Sequence, residues 1–525
     1  MRRGDAETAR GLRALAVSLL LAACDDGAMP SPRDATVSDV SDVSDVSDVS
    51  DASDVSDAVD ERDVVIDAAP SVITAVTGRA RPIAPWFFGL DGSAAQSPPW
   101  GDPAFSTALA GLRPATLRFP GGAAANWWDW GRGTYQTGFT PLSSMPARLD
   151  ALATTLATTM AAPVFTLNVV SAQGRIATAS DEIAMVSYQH ALLAYARAMH
   201  MPVLFVELGE GLDLDAPGPA EAPPAPYTAR FATGADYARA MNLWIVPLRQ
   251  GYPDAQLAVV ASTSEATPRA ASWNTSLLDT VRGIDAVTLR VEVPVRDGAL
   301  SDDALLALSF AAWRDAERLA LTAARARSLD AWVSASGLRD LTTDHAFEST
   351  WLQGLVSATL ALLELAEPSV TRATVLSTTG AADVAALFPM TYAIGAEGAH
   401  AVSLGRSAGA AVFDALSRAT TNARAARTID FANAPTLRGG DPALLGAQIT
   451  AGDGAQQALV VNLSSRALAV DLSAIAPASR RYEQLSAPSL RTRVTGAASG
   501  ELVVSAGDRA TTMTLAPRSM TRIFP

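Results

Sequence analysis

Beyond Pro70 the chain alternates between short apolar runs rich in β-branched residues and longer Ala/Leu-rich stretches of helical character, the signature of a parallel sheet wrapped by helices. The runs predict strands at Phe87–Leu90, Thr116–Phe119, Val164–Val169, Val203–Leu208, Leu257–Ala261, Ala286–Val291, Ala331–Ser334 and Ala373–Leu376. Helices are predicted between them, among them Asp181–His200, Asp236–Arg249, Asp302–Arg327 and Phe347–Leu365. Eight βα units in succession specify an α/β fold, a (β/α)8 TIM barrel, over residues 71–420. After a last helix near Ala396–Ser417 the pattern becomes strands separated by Gly, Pro and Asn turns. Strands at Ala458–Leu463, Ala467–Leu472, Glu501–Ser505 and Met513–Leu515 predict an all-β C-terminal sandwich over residues 421–525. Strand-like Ser71–Thr77 is a candidate to pair with that sandwich.

Residues 1–70 follow neither pattern. Arg2, Arg3, Arg10 and Arg13 precede an apolar run from Ala14 to Ala23, the order of a secretory signal, and the run is too short to span a bilayer. It ends in Leu21-Ala22-Ala23-Cys24, which resembles the lipobox of bacterial lipoproteins. That resemblance implies a signal over residues 1–24 and lipidation of Cys24. It also implies export and a lipid anchor in the bacterial cell envelope, with inner and outer membrane both open. Residues 25–70, with Ser-Asp-Val repeats from Ser38 to Asp57, carry too few apolar groups to offset the entropy of ordering and predict a disordered acidic spacer. No stretch of the spacer supplies the Gly and Glu of an EF-hand loop, which disfavours a Ca²⁺ role.

Composition narrows the chemistry. Of 525 residues, 49 % are apolar and 18 % charged, which suits a compactly folded chain. Every basic residue other than histidine is arginine, so mechanisms built on lysine, such as a Walker-type phosphate loop or a Schiff base, are excluded. The one cysteine excludes an intrachain disulfide and a Cys-cluster metal site. His190, His200, His345 and His400 show no metal-ligand spacing, and the last two have no evident partners, so neither metal nor cofactor is expected. The net charge of −14 sits mostly in residues 25–63, leaving the folded part without a basic field for nucleic acid.

In a barrel of this kind the chemistry lies at the carboxyl ends of the strands. The second predicted strand runs into Arg118-Phe119-Pro120-Gly121-Gly122, followed by Asn126-Trp127-Trp128-Asp129-Trp130. The fourth ends in Glu207-Leu208-Gly209-Glu210-Gly211, the sixth in Arg290-Val291-Glu292, and the seventh reads Trp332-Val333-Ser334-Ala335. This series resembles the clan-A retaining glycoside hydrolases with a β-sandwich appendage, the group of α-L-arabinofuranosidases and heparanase/β-glucuronidase-like enzymes, from about Ile83 to the C-terminus. The resemblance implies two catalytic carboxyl groups, an acid/base in a Glu-Leu-Gly-Asn-Glu run and a nucleophile in a Trp-x-Thr-Glu run. Here those two positions hold Gly211 and Ala335, and the His-x-Tyr of the sixth strand is replaced by Arg290-Val291-Glu292. Neither a hydrogen nor a methyl group attacks a sugar, so the expectation is a catalytically inactive glycosidase-like barrel that binds a carbohydrate or a cell-envelope partner through its cleft.

Two other outcomes stand beside it. One is an active glycosidase with relocated carboxylates, Glu210 as acid and Glu292 as base; the other is a scaffold or interaction protein without glycan affinity. The candidate binding residues each carry two readings. Trp127 and Trp128 would stack on sugar rings or pack the loop against the rim, and Asn126 would bond sugar hydroxyls. Arg118 would meet a ligand carboxylate or pair with Glu207 or Glu292. Glu207 is expected as a structural acceptor, Asn168 as pocket lining or turn cap, and Arg290 as part of a polar network filling the lost catalytic space or as a sugar contact. Gly405-Arg406-Ser407-Ala408-Gly409 matches a nucleophile elbow, but no histidine follows Ser407.

Overall fold

Eight parallel strands close into a barrel, their residues mostly buried on both faces as a sheet wrapped by helices requires. The computed structural model describes residues 72–92, 99–135, 148–173, 175–214, 227–375, 379–380, 388–394, 400–475, 481–494 and 501–525. The expected signal (1–24) and acidic spacer (25–70) lie outside the described residues.

A strand from the start of the described chain, β1 (Ile73–Thr77), precedes the barrel strands β2 (Phe88–Asp91), β3 (Thr116–Phe119), β4 (Ala162–Thr166), β5 (Phe205–Glu207), β6 (Gln256–Val260), β7 (Ala286–Val295), β8 (Asp330–Asp340) and β9 (Val370–Val375). Helices follow each barrel strand in turn: α1 (Pro103–Leu112), α2 (Leu149–Thr159), α3 (Glu182–Ala198), α4 (Gly234–Gly251), α5 (Pro268–Thr280), α6 (Asp302–Ala316), α7 (Trp351–Ala366) and α8 (Ala408–Thr420). The barrel interior is packed by Ala162, Val164, Phe205, Ala258, Ala286 and Trp332. The alternate residues Leu257, Val259, Val287, Leu289 and Val291 pack against the helices. This is a (β/α)8 barrel, as the alternation of runs and stretches predicted.

Two differences in length matter for the site. β7 and β8 were expected to stop at Val291 and Ser334 but pair on to Val295 and Asp340, since Val293 and Val295 extend the buried alternation past the rim. The helix expected from Ala396 begins at Ala408, after a strand at His400–Leu404, because Ser407 caps it by accepting the amide of Ala410 at 3.3 Å. The elbow-like Ser407 is thus fully buried as a helix cap. The stretch expected as one helix from Asp302 keeps its path but passes through a π turn at Glu317–Leu321.

The C-terminal sheets hold β10 (Ala423–Ala432), β11 (Leu444–Ala451), β12 (Gln456–Asn462), β13 (Leu468–Asp471), β14 (Arg481–Ser486), β15 (Val503–Asp508), β16 (Thr512–Leu515) and β17 (Ser519–Phe524). β1 joins them, antiparallel to β10 and parallel to β13. Period two decides the layering. Ala458 and Val460 of β12 face the sandwich core with Ile73, Val470 and Met513, while Leu459 and Val461 face the barrel-side cluster that holds α7 and α8. Trp351 at the start of α7 donates its indole N–H to the carbonyl of Arg518 at 2.6 Å, tying barrel to sandwich.

Candidate ligand site at the barrel mouth

Arg118 occupies the third position of β3, and with only 1 % of its surface exposed it must find its partners inside the protein. It finds three carboxylates. Nε donates to Glu207 Oε2 at 2.6 Å, Nη1 to Asp91 Oδ1 at 3.2 Å, and Nη2 to Glu210 Oε2. Thr166 at the end of β4 adds a hydroxyl donor to Glu207 Oε2 at 2.9 Å. Burial pushes the Glu207 carboxyl up to about 7 against the pull of Arg118, with Glu210 adding to the rise. Arg118 therefore pairs with Glu207, one of its two expected partners, and with Asp91 and Glu210 rather than with Glu292.

The segment after β5 turns sharply, with Gly209 at φ +94° and Gly211 at φ +58°. Asn126 locks it in place. Its Nδ2 donates to the Glu210 carbonyl at 2.7 Å and to the Tyr227 hydroxyl at 3.0 Å, and its Oδ1 accepts the Glu210 amide at 3.2 Å. Trp127 and Trp128 are buried, the latter edge-on to Phe119 with ring centroids 5.1 Å apart. Asn168 is equally enclosed: its Oδ1 accepts the amides of Val170 and Ser171, and its Nδ2 donates to the Trp128 carbonyl at 3.2 Å. Arg118, Asn126, Trp127, Trp128, Asn168 and Glu207 thus form a closed framework of packing and internal hydrogen bonds.

A cavity of about 290 Å³ opens beside that framework, with Gly211, Asp213, Thr263, Ser264, Arg290 and Glu292 in its wall. The Arg290 guanidinium stands over Gly211, 3.6 Å from where a Cβ would be. Its Nη1 lies 3.4 Å from Glu292, whose other oxygen accepts from Arg339 at 3.0 Å. Burial favours the neutral form of Glu292, yet the two guanidiniums prevail and hold it below the usual carboxylate range. Asp213 goes the other way: burial raises it, and Arg290 does not fully compensate. On β8 the register slips by one between Val333, paired with Leu289, and Ala335, paired with Arg290. The bulge leaves Ser334 lining the cavity, its hydroxyl donating to the Leu289 carbonyl at 3.2 Å, and Ala335 buried.

Four of the residues singled out from sequence therefore meet at the cavity: Glu210, Gly211, Arg290 and Glu292. Asp91, Asp213 and Thr263 were missed. Asp91 ends β2 directly after the predicted run, and Asp213 lies two residues past Gly211, so both sat within reach of the strand-end rule. His345, expected to lack a partner, sets its Nδ1 2.9 Å from Glu348. Among the described residues no group of three or more His, Cys, Asp or Glu is arranged to hold a metal ion.

No protein-family model and no curated protein matches the chain. Solved structures do. The family 51 α-L-arabinofuranosidase AbfB of Bifidobacterium longum superposes with a TM-score of 0.64 at 15 % identity, covering 87 % of this chain and 99 % of that one. The fold is that of the clan-A glycoside hydrolases. The α-L-arabinofuranosidase of Thermotoga maritima, solved with arabinose, gives 0.62 at 13 % identity, over 86 % of this chain and 99 % of that one. A conserved exported protein of Bacteroides fragilis gives 0.56 at 10 % identity, over 86 % and 100 %. At such identities the likeness is one of architecture, and the chemistry rests on the side chains described above.

Proposed function

We propose that this protein is a non-hydrolytic member of the glycosidase-fold class that binds a carbohydrate unit in the cavity at the barrel mouth. The observation that carries the reading is the pairing of carboxylates with arginines. Glu207 and Glu210 are both bound by Arg118, Glu292 by Arg290 and Arg339, and Arg290 stands over Gly211. Retaining hydrolysis needs a protonated carboxyl and a free carboxylate about 5–5.5 Å apart across the sugar. Arg118 takes an oxygen of Glu210, the candidate acid, and Arg290 and Arg339 take the oxygens of Glu292, the candidate base, so both carboxylates of a relocated pair are engaged by guanidiniums. Export and anchoring through Cys24 on the acidic spacer complete the reading: a cell-envelope protein that presents a sugar-binding barrel.

The test pairs an activity screen on aryl glycosides with binding titrations of neutral, amino and uronic oligosaccharides. Binding without turnover is the expected result. Turnover abolished by Glu210→Gln or Glu292→Gln would establish instead a hydrolase with relocated carboxylates, and absence of any sugar binding would leave a scaffold.

A further inference from the structure

The charged groups in the cavity wall already have partners. Glu210 is taken by Arg118, Glu292 by Arg290 and Arg339, and Asp315 by Arg318 at 3.3 Å. Asp213 has the Ser262 hydroxyl and Arg290 beside it, and burial favours its neutral form. With its charges satisfied internally the wall has no ionic preference to impose, and a neutral ligand leaves every pair intact. The hydroxyls of Thr263 and Ser334 donate to the carbonyls of Arg290 and Leu289 at 3.0 Å and 3.2 Å. Their oxygens therefore face the cavity as acceptors for the hydroxyl groups of a neutral sugar.

The opposite side of the same cavity has different chemistry. α6 packs along β7, and its residues Leu308, Ala311, Ala312 and Asp315, spaced by three and four so that they share one helix face, border the space. Leu308, Ala311 and Ala312 join Pro294 of β7 in an apolar flank. Leu308 and Ala312 are half-buried while Ala311 and Pro294 are exposed, so the flank opens to solvent. A sugar hydroxyl laid against it would lose water without gaining a partner, whereas an aliphatic group would gain by burial. The space, about 290 Å³, is at the low end of ligand pockets and suits one ring with a short substituent rather than a chain of rings. Resting on the sugar-binding reading, we infer that the cavity takes a neutral sugar unit carrying a short aliphatic substituent. The ring lies at Thr263 and Ser334, and the substituent lies along Leu308, Ala311 and Ala312.

The experiment titrates the full chain with the methyl glycosides of glucose, galactose and arabinose, each beside two decorated forms. One is the hexyl glycoside, with the chain at the anomeric carbon as in a glycolipid; the other is the methyl glycoside butyrylated on its primary hydroxyl, as in an acylated polysaccharide. On whichever sugar binds, at least one decorated form should bind about tenfold tighter than the plain methyl glycoside. That gap of ~1.4 kcal/mol is close to the effect of burying about two methylene groups, and the tighter form names the source. Ala311→Asn, at an exposed position of α6, should bring the decorated form to within about twofold of the plain one, and the wild-type comparison stands if that variant fails to fold. A plain glycoside that binds as tightly as both decorated forms, or a gain that persists undiminished in Ala311→Asn, overturns the inference while leaving sugar binding intact. Failure of every compound to bind overturns both.

Discussion

Arg118 Nε and Glu207 Oε2 are 2.6 Å apart, and each of the two residues is only 1 % exposed. Both charges have been taken out of water, so neither is stable without the other. Removing the arginine takes a cationic partner from Glu207, Asp91 and Glu210 together. Arg118→Met should lower the unfolding free energy by about 3–5 kcal/mol near pH 8. The loss should shrink near pH 5, where Glu207, already pushed up to about 7 by burial, can take a proton instead. Denaturant melts at the two pH values check this, and a loss that does not change with pH would contradict it.

Gly209 and Gly211 flank Glu210 with positive φ, but what surrounds them differs. A Cβ on Gly209 would lie 2.6 Å from Leu212 Cδ1 and 2.8 Å from Val169 Cγ2, both fully buried. A Cβ on Gly211 would make only ordinary contact with Arg290 at 3.6 Å. Gly211→Ala should therefore cost about 1–2 kcal/mol, the backbone penalty alone. Gly209→Ala adds overpacking of about 1–3 kcal/mol on top. If thermal or chemical melts place the two variants level, the packing around Gly209 is looser than described.

The barrel was legible because its signal is local: each run announces a strand through branched aliphatics, and the Ala/Leu-rich stretches between the runs announce the helices. The site was legible only in its membership. That Glu210, Gly211, Arg290 and Glu292 would gather could be argued from their places at strand ends, but not that Asn126, Trp127 and Trp128 would be enclosed. Enclosure depends on Tyr227, more than ninety positions from any of these three, and on Asn168 reaching the Trp128 carbonyl. Arg118 shows the same limit: its partners Asp91, Glu207 and Glu210 come from two other strands and a loop, and only barrel closure brings them together. The slip that sets Ser334 in the cavity wall and pairs Ala335 with Arg290 is a register event, which alternation alone does not reveal.

Cys24 provides a test independent of the cleft. Lipidation there requires its thiol, so the wild-type chain expressed in a lipoprotein-processing bacterium should incorporate a clickable fatty-acid label and partition into detergent. Cys24→Ala should do neither while leaving the fold from Ile73 onward unchanged, because that residue precedes the barrel and sandwich. Label incorporation that persists in Cys24→Ala, or a wild-type chain that stays in the aqueous phase, would remove the anchor from the proposed function.

Glu364 should contribute to the pH dependence of stability. It lies in α7 with no exposed surface, and burial pushes its carboxyl up to about 8, the Ser336 hydroxyl offsetting only part of the rise. Its value in the unfolded chain is near 4.5, so across that interval the folded state holds a proton that the unfolded state has released. The contribution is therefore fully present below about 4.5 and is lost as pH rises toward 8, the direction shared by Glu207 with its value near 7. Denaturant midpoints should fall steadily between these limits and then level off. Glu364→Gln carries no titrating proton and should flatten the slope, being relatively more stable than wild type at pH 8 than at pH 5. A variant whose profile superposes on that of the wild type would show that Glu364 ionises at an ordinary pH, with water reaching it inside the helix layer.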